Sequence, residues 1–143
     1  MQWTNKNTHL IGVRNSKLND LYQSNKVAAF DFDGTLVNTK SGRVHAKGRN
    51  DWVVFSDNVK PTIQKLHKEG FKIVIITNQR GLARRHGVDD WKGKQEDFAD
   101  LMDVPLYVFA CIQDDDFRKP QTSIWTKYID TYDDDSFYCG DAA

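Results

Sequence analysis

The sequence predicts an α/β protein, a three-layer sandwich with a central, mainly parallel sheet. Three observations predict it. Residues 27–31, 71–79, 104–111 and 136–141 contain apolar runs that are nearly continuous rather than alternating, as strands buried on both faces are. Amphipathic helical patterns separate the first three of these runs. Each run closes on, or is soon followed by, polar residues, acids or glycine, and the carboxyl ends of parallel strands are where open α/β sheets take ligands. At 143 residues the chain is one domain with enough length for a real core.

Taken in order, residues 9–13 predict a short strand at a sheet edge, and the polar residues 17–25 a linker. Residues 27–31 predict the central strand, with Gly34 marking the turn beyond it. Residues 37–52 carry Lys40, Arg43, Lys47 and Arg49 without a helical stripe. They predict a surface flap or hairpin that either contacts an anion or is simply solvated. Ser56 or Asp57 can cap a helix that has Pro61 in its first turn, with Val59, Ile63, Leu66 and His67 facing inward and Glu69-Gly70 at its end. Residues 71–79 form a second strand, so the pair makes a parallel βαβ unit. A basic loop or short helix spans residues 80–87, and an amphipathic helix spans 90–102 with Trp91, Phe98, Leu101 and Met102 inward. After the third strand, Thr122, Ile124, Trp125, Tyr128 and Ile129 mark another helix, residues 133–135 an acidic turn, and residues 136–141 a fourth strand ending in Gly-Asp.

Composition narrows the function classes. The chain is 39% hydrophobic and 28% charged with a formal net charge of zero, which argues neither for nor against nucleic acid. No apolar run reaches membrane-spanning length, and the polar start lacks a signal-peptide core, so an intracellular protein of nucleus, cytoplasm or viral replication site is expected. Cys111 and Cys139 read as reduced, buried strand residues, and the scattered His9, His45, His67 and His86 do not suggest zinc.

Asp31 and Asp33 lie two apart at the end of the first apolar run. Strand neighbours at that spacing point to one side. Such close carboxylates repel, so a cation must sit between them or one must hold a proton. Mg²⁺, which prefers oxygen ligands, meets that need. One carboxylate can then serve as nucleophile and the other as general acid/base. The other strand ends supply Thr77 and Asn78, then Lys119, then Asp141. Singly these are a strand-end cap, a surface lysine and a Gly-Asp turn. Together they are the parts of phosphoryl transfer through an aspartyl-phosphate. Lys119 can hold nucleophile and phosphate, the Thr77 hydroxyl can donate to phosphate oxygen, and Asp31, the Asp33 carbonyl and Asp141 can hold Mg²⁺.

The segment Asp31-Phe32-Asp33-Gly34-Thr35-Leu36, followed by Thr77, Lys119 and Gly140-Asp141, resembles the four motifs of the haloacid dehalogenase (HAD) superfamily of phosphotransferases. Ser41-Gly42-Arg43, Asp51-Trp52, Ile76-Thr77-Asn78-Gln79, Trp91-Lys92-Gly93-Lys94 and Gly140-Asp141-Ala142-Ala143 narrow the resemblance to the 3′-phosphatase domain of polynucleotide kinase/3′-phosphatase enzymes. That resemblance implies a Mg²⁺-dependent hydrolase that removes 3′-phosphate from DNA strand ends during repair. It implies Asp31 as nucleophile, Asp33 as general acid and then base, Thr77 and Lys119 as phosphoryl ligands, and Asp141 at the metal. It further implies Thr35 and Asn78 as substrate-site residues, and Arg43, Arg80 and Arg84 as contacts to the DNA.

The family continues past Gly-Asp-Ala-Ala, so a C-terminally short, monomeric phosphatase domain is expected. No Gly-x-x-x-x-Gly-Lys-Ser/Thr loop occurs, so a kinase or ligase partner domain would have to belong to a longer parent. Rival readings are a small-molecule phosphatase of sugar-phosphate or histidinol-phosphate type, a phospho-Asp receiver-like module, and an inactive fragment.

Overall fold

The computed structural model describes residues 1–5, 9–22, 26–43, 47–79, 87–112 and 136–140. In chain order these form strands β1 (Gln2–Asn5) and β2 (His9–Arg14), helix α1 (Leu18–Tyr22), and strands β3 (Val27–Phe30), β4 (Val37–Asn38) and β5 (Val53–Val54). Helix α2 (Val59–Lys68), strand β6 (Lys72–Asn78), helix α3 (Val88–Met102), and strands β7 (Leu106–Cys111) and β8 (Phe137–Cys139) follow.

The apolar runs make the sheet because each has two faces to bury. In β3, Ala28 and Phe30 join the core cluster that contains Ile63 of α2 and Trp91, Phe98 and Met102 of α3. Val27 and Ala29 turn the other way, into the cluster that contains Leu21 of α1. The same alternation runs through Ile73 and Ile75 against Val74 and Ile76 in β6. Each buried valine, isoleucine or phenylalanine among them contributes about 1.5–3 kcal/mol, which is why a continuous apolar strand settles between two layers of helix.

The main sheet has the order β1-β2-β7-β6-β3-β8. Strands β7, β6, β3 and β8 are parallel, while β2 runs antiparallel to β7 and β1 antiparallel to β2. The crossovers through α2 and α3 step in one direction along the sheet. Right-handed crossovers then place both helices on one face, in agreement with their shared core cluster. Strand β8 lies on the opposite side of β3 from β6, so the order reverses at β3. Doubly wound sheets open their ligand crevice at that reversal.

Several expectations are corrected. Strand β2 is interior, because β1 covers the edge it was expected to form. Residues 18–22 form α1 instead of a linker, fastened by Leu21, which is fully buried. The polar residues around that one leucine masked the helix. Neither Ser56 nor Asp57 caps α2: Asn58 is the N-cap residue, with no side-chain cap bond, and Ser56 Oγ accepts from the Asn58 N–H at 3.3 Å instead. His67 and Leu101 are exposed, and so is Cys139, whereas Cys111 is buried as expected. The helix expected around residues 122–129 and the turn at 133–135 lie outside the described residues. No helix among the described residues is long and apolar enough to cross a membrane.

Candidate active site

The parallel strands bring their carboxyl ends to one edge. Phe30 pairs with Ile75 on one side and with Cys139 on the other, so the chain leaves β3 between two neighbours. Asp31 is the first residue beyond the strand. Its N–H donates to the Cys139 carbonyl at 2.8 Å, which extends the β3–β8 ladder by one bond. The residue is buried to 7% exposure, and its Oδ1 accepts from the Phe32 N–H at 2.8 Å. That charge-assisted bond turns the carboxylate back over the turn that follows.

The turn is closed by backbone bonds. The Phe32 carbonyl accepts from the N–H groups of Thr35, Leu36 and Val37 at 2.9–3.2 Å, and the Gly34 N–H donates to the Val37 carbonyl at 2.8 Å. Gly34 has φ of +78°, a conformation a side chain would strain. Asp33 sits on this turn with a side chain 58% exposed. The two carboxylates therefore differ in environment: Asp31 is sheltered at the sheet edge and Asp33 faces outward.

Asp33 is held from two elements. Gln79, just past β6, donates from Nε2 to Asp33 Oδ2 at 2.9 Å and to Thr77 Oγ1 at 3.1 Å. Lys94 of α3 brings Nζ to 4.0 Å from Asp33 Oδ1. Thr77 itself is buried at 1% exposure, and its neighbour Asn78 is half-buried at the last register position, opposite Cys111. The Thr35 hydroxyl is buried with no hydrogen-bond partner among the described residues. A buried donor of that kind calls for a partner.

The flap between β4 and β5 is hung on the same turn. These two-residue strands pair antiparallel, and the Phe55 N–H donates to the Leu36 carbonyl at 2.8 Å. Asp51 braces the flap by accepting from the Ser41 N–H, the Ser41 hydroxyl and the Lys47 N–H at 2.7–2.8 Å. These donors hold its carboxyl at about 2, well below the usual value. Lys40, Ser41 and residues 47–51 line an open hollow of about 470 Å³. Arg43 is exposed on the flap, and its carbonyl accepts from Thr39 Oγ1 at 2.6 Å.

Of the residues singled out in the sequence, Asp31, Asp33, Thr77, Asn78 and Thr35 belong to this edge and turn, and Arg43 to the adjoining flap. Lys119, Asp141, Arg80 and Arg84 lie outside the described residues. Sequence reasoning missed Gln79 and Lys94 as partners of Asp33. Lys94 had a signal: it falls three residues after Trp91 and four before Phe98, on the apolar stripe of α3, where a solvated lysine has no place.

The donor set suits a hard divalent cation, since what Asp31 and Asp33 offer is oxygen. Among the described residues, no three His, Cys, Asp or Glu side chains gather as a metal site by themselves.

Comparison with known proteins places the chain in a family. The family described as polynucleotide kinase 3 phosphatase matches residues 26–143. The bifunctional polynucleotide phosphatase/kinase of Schizosaccharomyces pombe is 36% identical over 134 residues, 90% of this chain and 33% of that protein. The polynucleotide 3′-phosphatase ZDP of Arabidopsis thaliana is 33% identical over 164 aligned residues, 99% of this chain and 23% of that protein. The chain thus spans a third or less of the length of these relatives. Among solved structures, a HAD-like phosphatase from Mesorhizobium loti matches with a TM-score of 0.70 at 19% identity, covering 96% of this chain and 72% of that one. A D,D-heptose 1.7-bisphosphate phosphatase from B. bronchiseptica, complexed with magnesium and phosphate, matches with a TM-score of 0.58 at 20% identity, over 70% and 59% of the two chains. The structural likenesses establish a HAD-like fold, and the match over residues 26–143 makes this chain a member of the polynucleotide kinase 3 phosphatase family.

Proposed function

We propose that the chain is a Mg²⁺-dependent polynucleotide 3′-phosphatase that acts on DNA strand ends, with residues 1–143 forming its phosphatase domain. The observation that carries this reading is the asymmetry of the aspartate pair. Asp31 is sheltered where β3 meets β8, and Asp33 is turned outward and gripped by Gln79.

An Asp31 carboxylate oxygen attacks phosphorus as the bond to the 3′-oxygen breaks, and Asp33, protonated, gives its proton to that oxygen. Asp33, now a carboxylate, takes a proton from water. The resulting nucleophile attacks the phosphorus of the aspartyl-phosphate, which releases inorganic phosphate and restores Asp31. Thr77, Thr35, Asn78 and Lys119 donate to phosphoryl oxygens as charge shifts. Asp31, the Asp33 carbonyl and Asp141 would hold Mg²⁺, which when bound offsets the negative charge of the phosphate and the carboxylates. Arg43, Arg80 and Arg84 contact the strand backbone, gripping the substrate only near its end.

The test is phosphate release from a 3′-phosphorylated oligonucleotide with and without Mg²⁺, beside a 5′-phosphorylated oligonucleotide and a small sugar phosphate. Release from the 3′ end alone, dependent on Mg²⁺, abolished by Asp31→Asn and retained by Asp133→Asn, is the expected result. Faster turnover of the sugar phosphate overturns the substrate assignment, and full activity in Asp31→Asn overturns the mechanism.

A further inference from the structure

Lys94 is buried to 6% exposure on the apolar face of α3, an environment that penalises an unpaired ammonium. Trp91 and Phe98, one turn away on either side along the same stripe, are buried with it. Its Nζ lies 5.6 Å from the centroid of the Phe32 ring, and that ring packs edge-on against Phe98 with centroids 5.2 Å apart. Phe32 is the residue between the two aspartates. The lysine stem thus reaches the turn through its apolar underside and stops with Nζ 4.0 Å from Asp33 Oδ1.

A packing role does not account for the charge. Methionine fills the same space without desolvation cost, and replacing a buried ion pair by apolar side chains is often neutral or stabilising. The pair does not secure a core contact either, because the Asp33 side chain is 58% exposed. What the charge does reach is one oxygen of a carboxylate whose other oxygen is bonded to Gln79 at 2.9 Å.

We infer that Lys94 is a positioning residue for Asp33: its ammonium, fixed in α3, attracts Oδ1 while Gln79 holds Oδ2, so the carboxyl group presents one orientation to the leaving oxygen. This rests on the role proposed above for Asp33 in proton transfer. Lys94 acts through Asp33 and does not itself contact substrate. At 4.0 Å the contact is one of charge rather than a hydrogen bond.

The experiment compares wild type, Lys94→Met and Lys94→Gln on a 3′-phosphorylated oligonucleotide and on p-nitrophenyl phosphate in Mg²⁺, with melting curves for all three. A 3′-alkoxide leaves poorly without a proton, whereas nitrophenolate leaves without one. Both variants should fold and lower kcat on the oligonucleotide roughly 10- to 100-fold, part of what a well-placed general acid contributes, with KM unchanged. On the aryl phosphate they should release a burst of nitrophenolate and then turn over slowly, because water activation still depends on Asp33. An equal loss on both substrates without a burst, a change confined to KM, unchanged kinetics, or failure of both variants to fold each overturns the inference. Wild type inert on both substrates overturns the functional reading itself, and active wild type with unaltered variants overturns only the role of Lys94.

Discussion

Arg49 and Asp97 are joined by two parallel bonds, Nε to Oδ2 and Nη2 to Oδ1, each 2.9 Å. Arg49 belongs to the flap and Asp97 to α3, so this pair ties the flap to the helix that also carries Lys94. The helix makes room for it: a Cβ at Gly93 would stand 2.7 Å from the Arg49 Cδ, Nε and Cζ. The pairing holds the Arg49 guanidinium above its ordinary value and the Asp97 carboxyl below its own.

Gly93→Ala should separate helix stability from flap attachment. Alanine favours a helix interior over glycine by about 1 kcal/mol, while its methyl group must push the Arg49 side chain off the helix. The expected outcome is an unchanged or raised melting temperature together with faster hydrogen exchange at residues 47–51. Exchange as slow as in wild type would show that the flap does not depend on this contact.

Asp51 gives the flap an acid limit. Its folded pKa, about 2, lies below the ordinary carboxylate value of 3.8 because Lys47 and Ser41 donate to the ionised form. A depressed carboxylate contributes stability above its unfolded pKa and loses it as pH falls through the folded one. Protection of the Ser41 and Lys47 amides should persist at pH 5 and fade between about pH 4 and 2. Asp51→Asn should show weaker protection with no step in that window. Protection in wild type that ignores pH would remove the brace.

Gln79→Ala takes one donor from Asp33 and from Thr77 together. Under the proposed mechanism kcat on a 3′-phosphorylated oligonucleotide should fall about tenfold, what losing one charged hydrogen bond of roughly 1.5 kcal/mol does to a rate. Steady-state kinetics measure this directly, and a variant within twofold of wild type contradicts it.

Leu21→Ala tests whether α1 belongs to the core. Leu21 is fully buried against the sheet face that carries Val27 and Ala29. Truncation should cost about 2–5 kcal/mol, read as a lower urea midpoint. A shift near zero would mean that α1 merely rests on the sheet.

The parallel core was legible because strands buried on both faces leave continuous apolar runs, and residues 27–30 and 73–76 have that form without exception. Asp31 and Thr77 were legible for the same reason: a polar residue directly after such a run has a sheet edge as its address. The position of β2 was not, because edge and interior antiparallel strands share one local pattern, and only β1, over a hundred residues from β7 in sequence, decides between them. Helix α1 was hidden because one buried leucine sets no periodicity. Leu101 was misplaced because an apolar residue on the margin of a stripe costs little when exposed. The partners of Asp33 stayed hidden because their meeting depends on tertiary geometry: Gln79 is 46 residues away in sequence.

The pairing of β2 with β7 sets an order of assembly. His9 lies opposite Cys111 and Arg14 opposite Leu106, so this seam cannot close until residue 111 has left the ribosome. Until then Leu10 and Ile11, both buried in the finished sheet, have only β1 beside them. So distant a seam makes folding slow. It leaves the apolar residues of β2 uncovered in the nascent chain while the strands between are made.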